Sequence, residues 1–140
     1  MTSNRNADYA ALLLRISLGI MLIAHGLLKV MVFTVPGTVQ FFDSVGFPGW
    51  MAYPVIALEI GGGALLLAGA YTRLTALALV PVMLGATAVH FGNGWTFSSA
   101  NGGWEYPALL AVLMIVQALL GAGAYALKVP QLKGWHTARA

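Results

Sequence analysis

Residues 9–33 read YAALLLRISLGIMLIAHGLLKVMVF. Only Arg15, His25 and Lys29 interrupt this apolar run with strongly polar groups. A helix rises about 1.5 Å per residue, so roughly 20 such residues cross a hydrocarbon layer ~30 Å thick. The polar residues are not scattered. Arg15, Leu18, Leu22, His25 and Lys29 follow one another at offsets of three and four, which places them on a single stripe of a helix. A charge facing lipid is costly, so the stripe predicts a face turned toward a bundle interior. Arg15 and Lys29, toward opposite ends, also suit snorkelling to the two interfaces. The run is longer than the apolar region of a cleavable signal and carries these polar groups, which predicts a retained helix.

Three further blocks have the length of a span: about Met51–Ala70, Leu74–Gly92 and Tyr106–Leu127. The fold class expected is all-α, an integral membrane four-helix bundle formed by a single domain over residues 1–140. Only Tyr71-Thr72-Arg73 separates the second block from the third, so these two are antiparallel neighbours. The third and fourth are joined by residues 93–104, rich in Asn, Gly and Ser. Between the first and second, Pro36 opens and Gly46 closes a short helical stretch. Val39, Phe42 and Val45 recur there at helical spacing, which predicts a short helix lying at the membrane interface.

Composition agrees. Hydrophobic residues make up 59% of the chain and charged residues 8%, too few to clothe a water-facing surface. The net charge of +3 is not a nucleic-acid footprint, because no basic patch with interleaved aromatics exists. The basic residues instead mark orientation. Arg5, Arg73, Lys128, Lys133 and Arg139 all fall on one side of a four-span chain. The two loops on the other side hold no Lys or Arg, but carry Asp43, Trp50, Trp95 and Trp104, with Glu105 at the margin. The positive-inside rule then puts both termini in the cytoplasm. The absence of cysteine excludes thiol–disulfide chemistry, cysteine-ligated iron–sulfur clusters and c-type haem attachment.

The candidate ligand-binding residues are the polar groups near the outer ends of the spans: His25, Lys29, Glu59, His90 and Glu105. Glu59 lies about eight residues from the outer end of its span, roughly 12 Å deep, matching His25, with Lys29 a turn above. A buried carboxylate needs a partner or a proton. It either serves a ligand or fixes helix packing. Gly61-Gly62-Gly63, which follow, suit close helix approach. His90 reads as a ligand group or an interfacial histidine, and Glu105 as a charge favoured at a helix N-terminus. Arg15, Arg73 and Gln117 are read as structural or orienting, and His136 as a solvated tail residue. A bis-histidine haem needs matched depths, whereas His25 and His90 are offset by roughly 9 Å at helical rise. A divalent site from His25, Glu59 and His90 lacks tight ligand spacing, so no metal is expected. No nucleotide loop, nucleophile elbow or dinucleotide fingerprint occurs.

The ordered set Leu14-Arg15-Ile16-Ser17-Leu18-Gly19, His25-Gly26-Leu27-Leu28-Lys29, Gly46-Phe47-Pro48, Leu58-Glu59-Ile60-Gly61-Gly62-Gly63, Gly69-Ala70-Tyr71-Thr72-Arg73 and Asn101-Gly102-Gly103-Trp104-Glu105 resembles the DoxX family. The resemblance implies a four-helix bacterial inner-membrane protein. It also implies a kinship with small membrane subunits of quinone-dependent sulfur oxidation and with membrane partners of redox enzymes. Arg15, His25, Lys29, Glu59, Arg73 and Glu105 occupy family-like polar positions, and His90 matches less firmly.

The expected function is that of a quinone-interacting or accessory subunit of a membrane redox system. No covalently bound cofactor is expected, and quinone is the candidate ligand. Histidine and lysine offer donors to a quinone carbonyl, and Glu59 can accept a proton. The electron carrier then belongs to a protein partner. The expected surroundings are the lipid bilayer, that redox partner or a second copy in a homo-oligomer, and no nucleic acid. Two other readings stand beside this one. The chain can be a non-enzymatic scaffold for partner proteins. A small-molecule carrier is less favoured, because inverted repeats and paired half-helices are missing.

Overall fold

The computed structural model describes residues 4–130. Lys133, His136 and Arg139 lie outside the described residues. Five helices follow in order: α1 Arg5–Met31, α2 Val35–Ser44, α3 Ala52–Ala68, α4 Thr72–His90 and α5 Glu105–Leu120. Single turns of 3-10 helix, Gly49–Met51 and Phe91–Asn93, extend α3 backward and α4 forward. No strand occurs among the described residues.

With these extensions three helices are long and apolar enough to cross a membrane: Arg5–Met31, Gly49–Ala68 and Thr72–Asn93. The fourth apolar block differs from its expected bounds. It is helical only to Leu120, a 16-residue helix about 24 Å long. Gly121 at φ +82° and Gly123 at φ +68° then turn the chain. The amides of Ala124 and Leu127 donate to the carbonyls of Asp8 and Ala68, so residues 121–127 lie across the ends of α1 and α3. Apolar composition alone does not separate such a segment from another helical turn.

Each long helix buries one stripe. On α1 it is Ala11, Arg15, Leu18, Gly19, Leu22 and Gly26, the face that the polar spacing indicated. α3 turns Ile56, Glu59, Gly63 and Leu66 inward, α4 Thr75, Leu79 and Met83, and α5 Leu110, Met114 and Gln117. The core is Leu18, Leu22, Leu66, Leu79, Met83, Leu110 and Met114 with Ala76, Ala111 and Ala118. The most extensive contacts pair α1 with α3 and α4 with α5, and α3–α4 and α1–α5 contacts close the ring.

Glycine sets the α1–α3 approach. A Cβ on Gly63 would stand 2.8 Å from the Gly19 carbonyl oxygen, and one on Gly19 would meet Gly63 oxygen at the same distance. Gly62 faces Thr75 and Leu79 of α4, whereas Gly61 has open space around it. Consecutive glycines thus serve α4 and α1 in turn.

The short α2 is capped by the Thr34 hydroxyl, which accepts from Gly37 N at 3.2 Å. Its docking residue is polar: Thr38 is buried and donates to the Lys29 carbonyl at 3.0 Å. Of the expected apolar trio, Phe42 meets Phe47, and Val45, just past the end of α2, is exposed. Asp43 Oδ1 accepts from Gly49 N at 2.7 Å and fixes the entry into α3.

Candidate functional site

The helix order sorts the polar residues to two ends. At the end holding the chain termini, Arg15 is 1% exposed and does not snorkel. Its Nε donates to Ala122 O at 2.9 Å and its Nη2 to Ala124 O at 2.9 Å. Its Nη1 donates to Leu66 O at 3.1 Å and Leu67 O at 2.6 Å. Leu66 and Leu67 lie in the last turn of α3, where carbonyls are short of donors, Leu66 O taking only the capping Gly69 amide besides, and the helix dipole is negative. A guanidinium has five N–H donors in a planar fork, and here four acceptors converge on it. Gln117 is fully buried nearby, its Nε2 donating to Gly121 O at 2.8 Å and Ala11 O at 3.3 Å. Arg73, in the first turn of α4, donates to Ala118 O of α5 at 3.1 Å. Arg15 and Gln117 bind helices to the returning chain, and Arg73 ties the start of α4 to the end of α5.

At the opposite end, Lys29 Nζ stands 2.9 Å from both carboxylate oxygens of Glu59. The Glu59 side chain is 5% exposed and that of Lys29 20%. The geometry makes a hydrogen bond to Oε1 only. Oε2 is within ion-pair distance yet accepts no hydrogen bond. Lys29 is therefore the partner of Glu59, and His25 is bonded elsewhere. His25 Nδ1 lies 2.7 Å from the Met21 carbonyl, one turn back on α1. His90 Nδ1 lies 3.1 Å from Asn101 O and 3.2 Å from Gly102 O, and Asn93 Nδ2 donates to the same two carbonyls.

His25, Lys29, Glu59 and His90 line one cavity of ≈ 290 Å³. Its remaining wall is mostly apolar, with Met21, Met83, Met114, Phe97 and Tyr106 prominent. Residues as far apart in sequence as His25 and His90 thus share a site, although helical rise alone offset them in depth. Glu105 is not on this cavity. Its Oε1 accepts from the Phe97 amide at 2.9 Å, and its own amide donates to Trp95 O at 3.1 Å. It ties the 93–104 loop to the start of α5. Among the described residues no group of three His, Asp or Glu side chains is placed to hold a metal ion.

A model of the DoxX family matches residues 10–92. The chain belongs to the DoxX family. The matched region of this DoxX protein covers α1 to α4, and so contains Arg15, His25, Lys29, Glu59 and His90. Two relatives extend the likeness through α5. "Putative oxidoreductase CatD" of Bacillus subtilis is 34% identical over 137 residues, spanning 94% of this chain and 93% of that protein. "Inner membrane protein YqjF" of Escherichia coli is 31% identical over 128 residues, spanning 91% of this chain and 96% of that protein. No solved structure matches.

Tyr106 and Phe97 are cavity residues that sequence reasoning did not single out. The Tyr106 ring lies 6.2 Å from that of His25. Its signal was its place one residue after Glu105, at the same end of the bundle as His90. Met21, Met83 and Met114 carried no such signal, since methionine on a buried helix face reads as core.

Proposed function

We propose that this DoxX protein is a quinone-interacting accessory subunit of a redox system in the bacterial inner membrane. The observation that carries the reading is the composite cavity. Polar groups from α1, α3 and α4 meet there within an apolar, methionine- and aromatic-rich wall. Its ≈ 290 Å³ lies near the low end of ligand pockets, about 300 Å³, which suits a single ring. Lys29 supplies a cation and Glu59 a carboxylate, so the pair is neutral overall and admits an uncharged ligand. The oxidoreductase in the name of the Bacillus relative agrees with a redox setting. The electron carrier belongs to a protein partner.

The orientation is part of the proposal. Arg5, Arg73 and Lys128 gather at the Arg15 end and Asp43 and Glu105 at the cavity end. With α5 as a fourth crossing, the termini are cytoplasmic and the cavity lies in the outer half. Reporter fusions at residue 140 and near Ser99 test this. The first is expected to report cytoplasm and the second periplasm, and a cytoplasmic signal near Ser99 overturns it.

The functional test is lipid extraction from the purified protein, with chromatography of bound quinones. Wild type is expected to carry quinone in stoichiometric amount, and folded His25→Phe and Glu59→Gln to have lost it. A folded wild type that carries none from a quinone-replete membrane overturns the reading. A second reading rests on the exposed aromatics of the 93–104 loop. Trp95 is 57% and Phe97 73% exposed, a surface that also suits a scaffold docking a partner protein. In that case Trp95→Ala abolishes partner capture while His25→Phe leaves it intact.

A further inference from the structure

The hydrogen-bond pattern around the cavity specifies more than a ring-shaped guest. Both histidines are held through Nδ1 by backbone carbonyls, Met21 for His25 and Asn101 with Gly102 for His90. A carbonyl only accepts, so in the neutral ring the proton sits on Nδ1 and Nε2 is left as a lone-pair acceptor. Asn93 Nδ2 also lies 3.4 Å from His90 Nδ1, but it donates to the same two carbonyls at 3.2 and 2.9 Å. Neither Nε2 makes a hydrogen bond within the described residues. The third acceptor is Glu59, which lines the cavity and whose carboxylate receives a single hydrogen bond, from Lys29 to Oε1.

Donors are scarcer. Lys29 spends one N–H on Glu59 Oε1 and is held in ion-pair contact with Oε2, and the Tyr106 hydroxyl can serve in either sense. The acceptors come from α1, α3 and α4, so the surplus belongs to the assembled cavity and to no single helix. A guest with only carbonyl oxygens leaves such acceptors unpaired, which is unfavourable in a low-dielectric site. A guest with hydroxyl protons satisfies them. A cationic donor is disfavoured by Lys29 beside the same carboxylate.

We infer that the cavity of His25, Glu59 and His90 selects the hydroxyl-bearing, reduced form of its ring ligand, a hydroquinone, over the oxidised quinone. The inference rests on the quinone reading above and sharpens it to a redox state. It places the chain on the side of the cycle where hydroquinone is held. The hydroxyl hydrogens then point at imidazole nitrogen and carboxylate oxygen.

Three probes separate the contributions: a short-tailed benzoquinone, its hydroquinone, and the dimethyl ether of that hydroquinone. The ether keeps ring and oxygens but has no donor. Each is titrated calorimetrically into the full-length protein in detergent, without oxygen. The hydroquinone is expected to bind at least about tenfold more tightly than either of the others, the worth of roughly one hydrogen bond to a charged group. His25→Phe is expected to shrink that advantage while leaving benzoquinone binding within about threefold. Equal or tighter binding of benzoquinone, or of the ether, overturns the selection for donors and leaves the quinone reading standing. Failure of all three to bind a folded protein overturns both. The wild-type series decides the matter even where a variant does not fold.

Discussion

The two ends of this bundle solve the same electrostatic problem in opposite ways. At one, Arg15 is buried in no ion pair among the described residues and spreads its charge over four backbone carbonyls. At the other, Lys29 pairs with Glu59, and hydrogen-bonding capacity is left over on Glu59 and on two histidines. Both cations stand on the same stripe of α1. The difference lies in what the neighbouring chain offers. The C-terminal turn of α3 and the returning segment 121–124 present carbonyls, which a planar fork can gather and a point ammonium cannot. At the far end Glu59 sits inside α3, where the backbone is already bonded, so only side chains remain to pair. Buried polar atoms without partners also occur at the Arg15 end, Thr72 Oγ1 and Gln117 Oε1, but neither lines the cavity. The Arg15 end ties helix ends together, whereas the end that forms the cavity is the one the proposed function assigns to a ligand.

The largest effect expected is at Arg15. Arg15→Met keeps the stem and removes the donor that four carbonyls share, only Leu66 O of them retaining a backbone amide, from Gly69, a loss of about 3–5 kcal/mol if the fold survives at all. Thermal melts in detergent, with yield of folded protein, check it. Arg15→Lys is expected to recover only a minor part, because one ammonium cannot replace the fork. Wild-type melting of Arg15→Met would break the contrast by showing that the clamp contributes nothing.

Glu59→Ala comes next. It leaves the Lys29 ammonium without its counter-charge, a cost of up to about 3–5 kcal/mol that is milder for a pair within reach of water. Leu119→Ala, at a side chain 72% exposed, is the control and is expected to melt like wild type. Glu59→Gln is expected to lie close to wild type in melting while losing ligand, the signature that separates a site from packing glue. Equal melting of Glu59→Ala and Leu119→Ala would mean that the ion pair does not contribute to the fold.

Between the ends, the glycine contact gives a smaller and sharper comparison. Gly63→Ala places a methyl 2.8 Å from the Gly19 carbonyl and against Ile23, so α1 and α3 must part. Overpacking of this kind costs about 1–3 kcal/mol. Gly61→Ala, two residues earlier in open space, is expected to be neutral or slightly stabilising, since alanine is the better helix former. Similar melting of the two variants would show that the close approach is not needed to hold the ends in register.

The inward stripe of α1, the first three helical spans and the presence of Glu59 near Lys29 were legible from spacing, because hydrophobic periodicity and the cost of burying charge leave few alternatives. The fate of Arg15 was not. It depends on α5 stopping at Leu120 and on Gly121 and Gly123 turning the chain back, and an apolar segment rich in alanine and glycine reads equally well as more helix. The partnership of His25 and His90 in one cavity was also hidden. Depth counted along separate helices ignores tilt and the inward course of the 93–104 loop, whose Phe97, Gly102 and Gly103 line the cavity beside His90. Glu105 was read as a candidate ligand group by its position, yet position could not show that a loop amide already claims it.

The smallest effect, and the finest test of the contrast, concerns that carboxylate. Glu105 accepts from the Phe97 amide, and Phe97 lines the cavity while Glu105 does not. Glu105→Ala removes one hydrogen bond at a half-exposed site, so global melting is expected to shift by no more than about 1 kcal/mol. The local consequence is larger than the global one. Once its acceptor is gone, the Phe97 amide is held by no hydrogen bond to Glu105, and its hydrogen exchange is expected to quicken severalfold. Glu105→Gln retains a carbonyl acceptor and is expected to keep most of the protection. If Phe97 shapes the cavity mouth, hydroquinone binding weakens modestly in Glu105→Ala and recovers in Glu105→Gln, with His25 and Glu59 untouched. Rapid exchange with unchanged binding would instead confine ligand recognition to the helical walls. Loss of binding as complete as in His25→Phe would mean that the loop, rather than the unsaturated helix end, forms the essential part of the site.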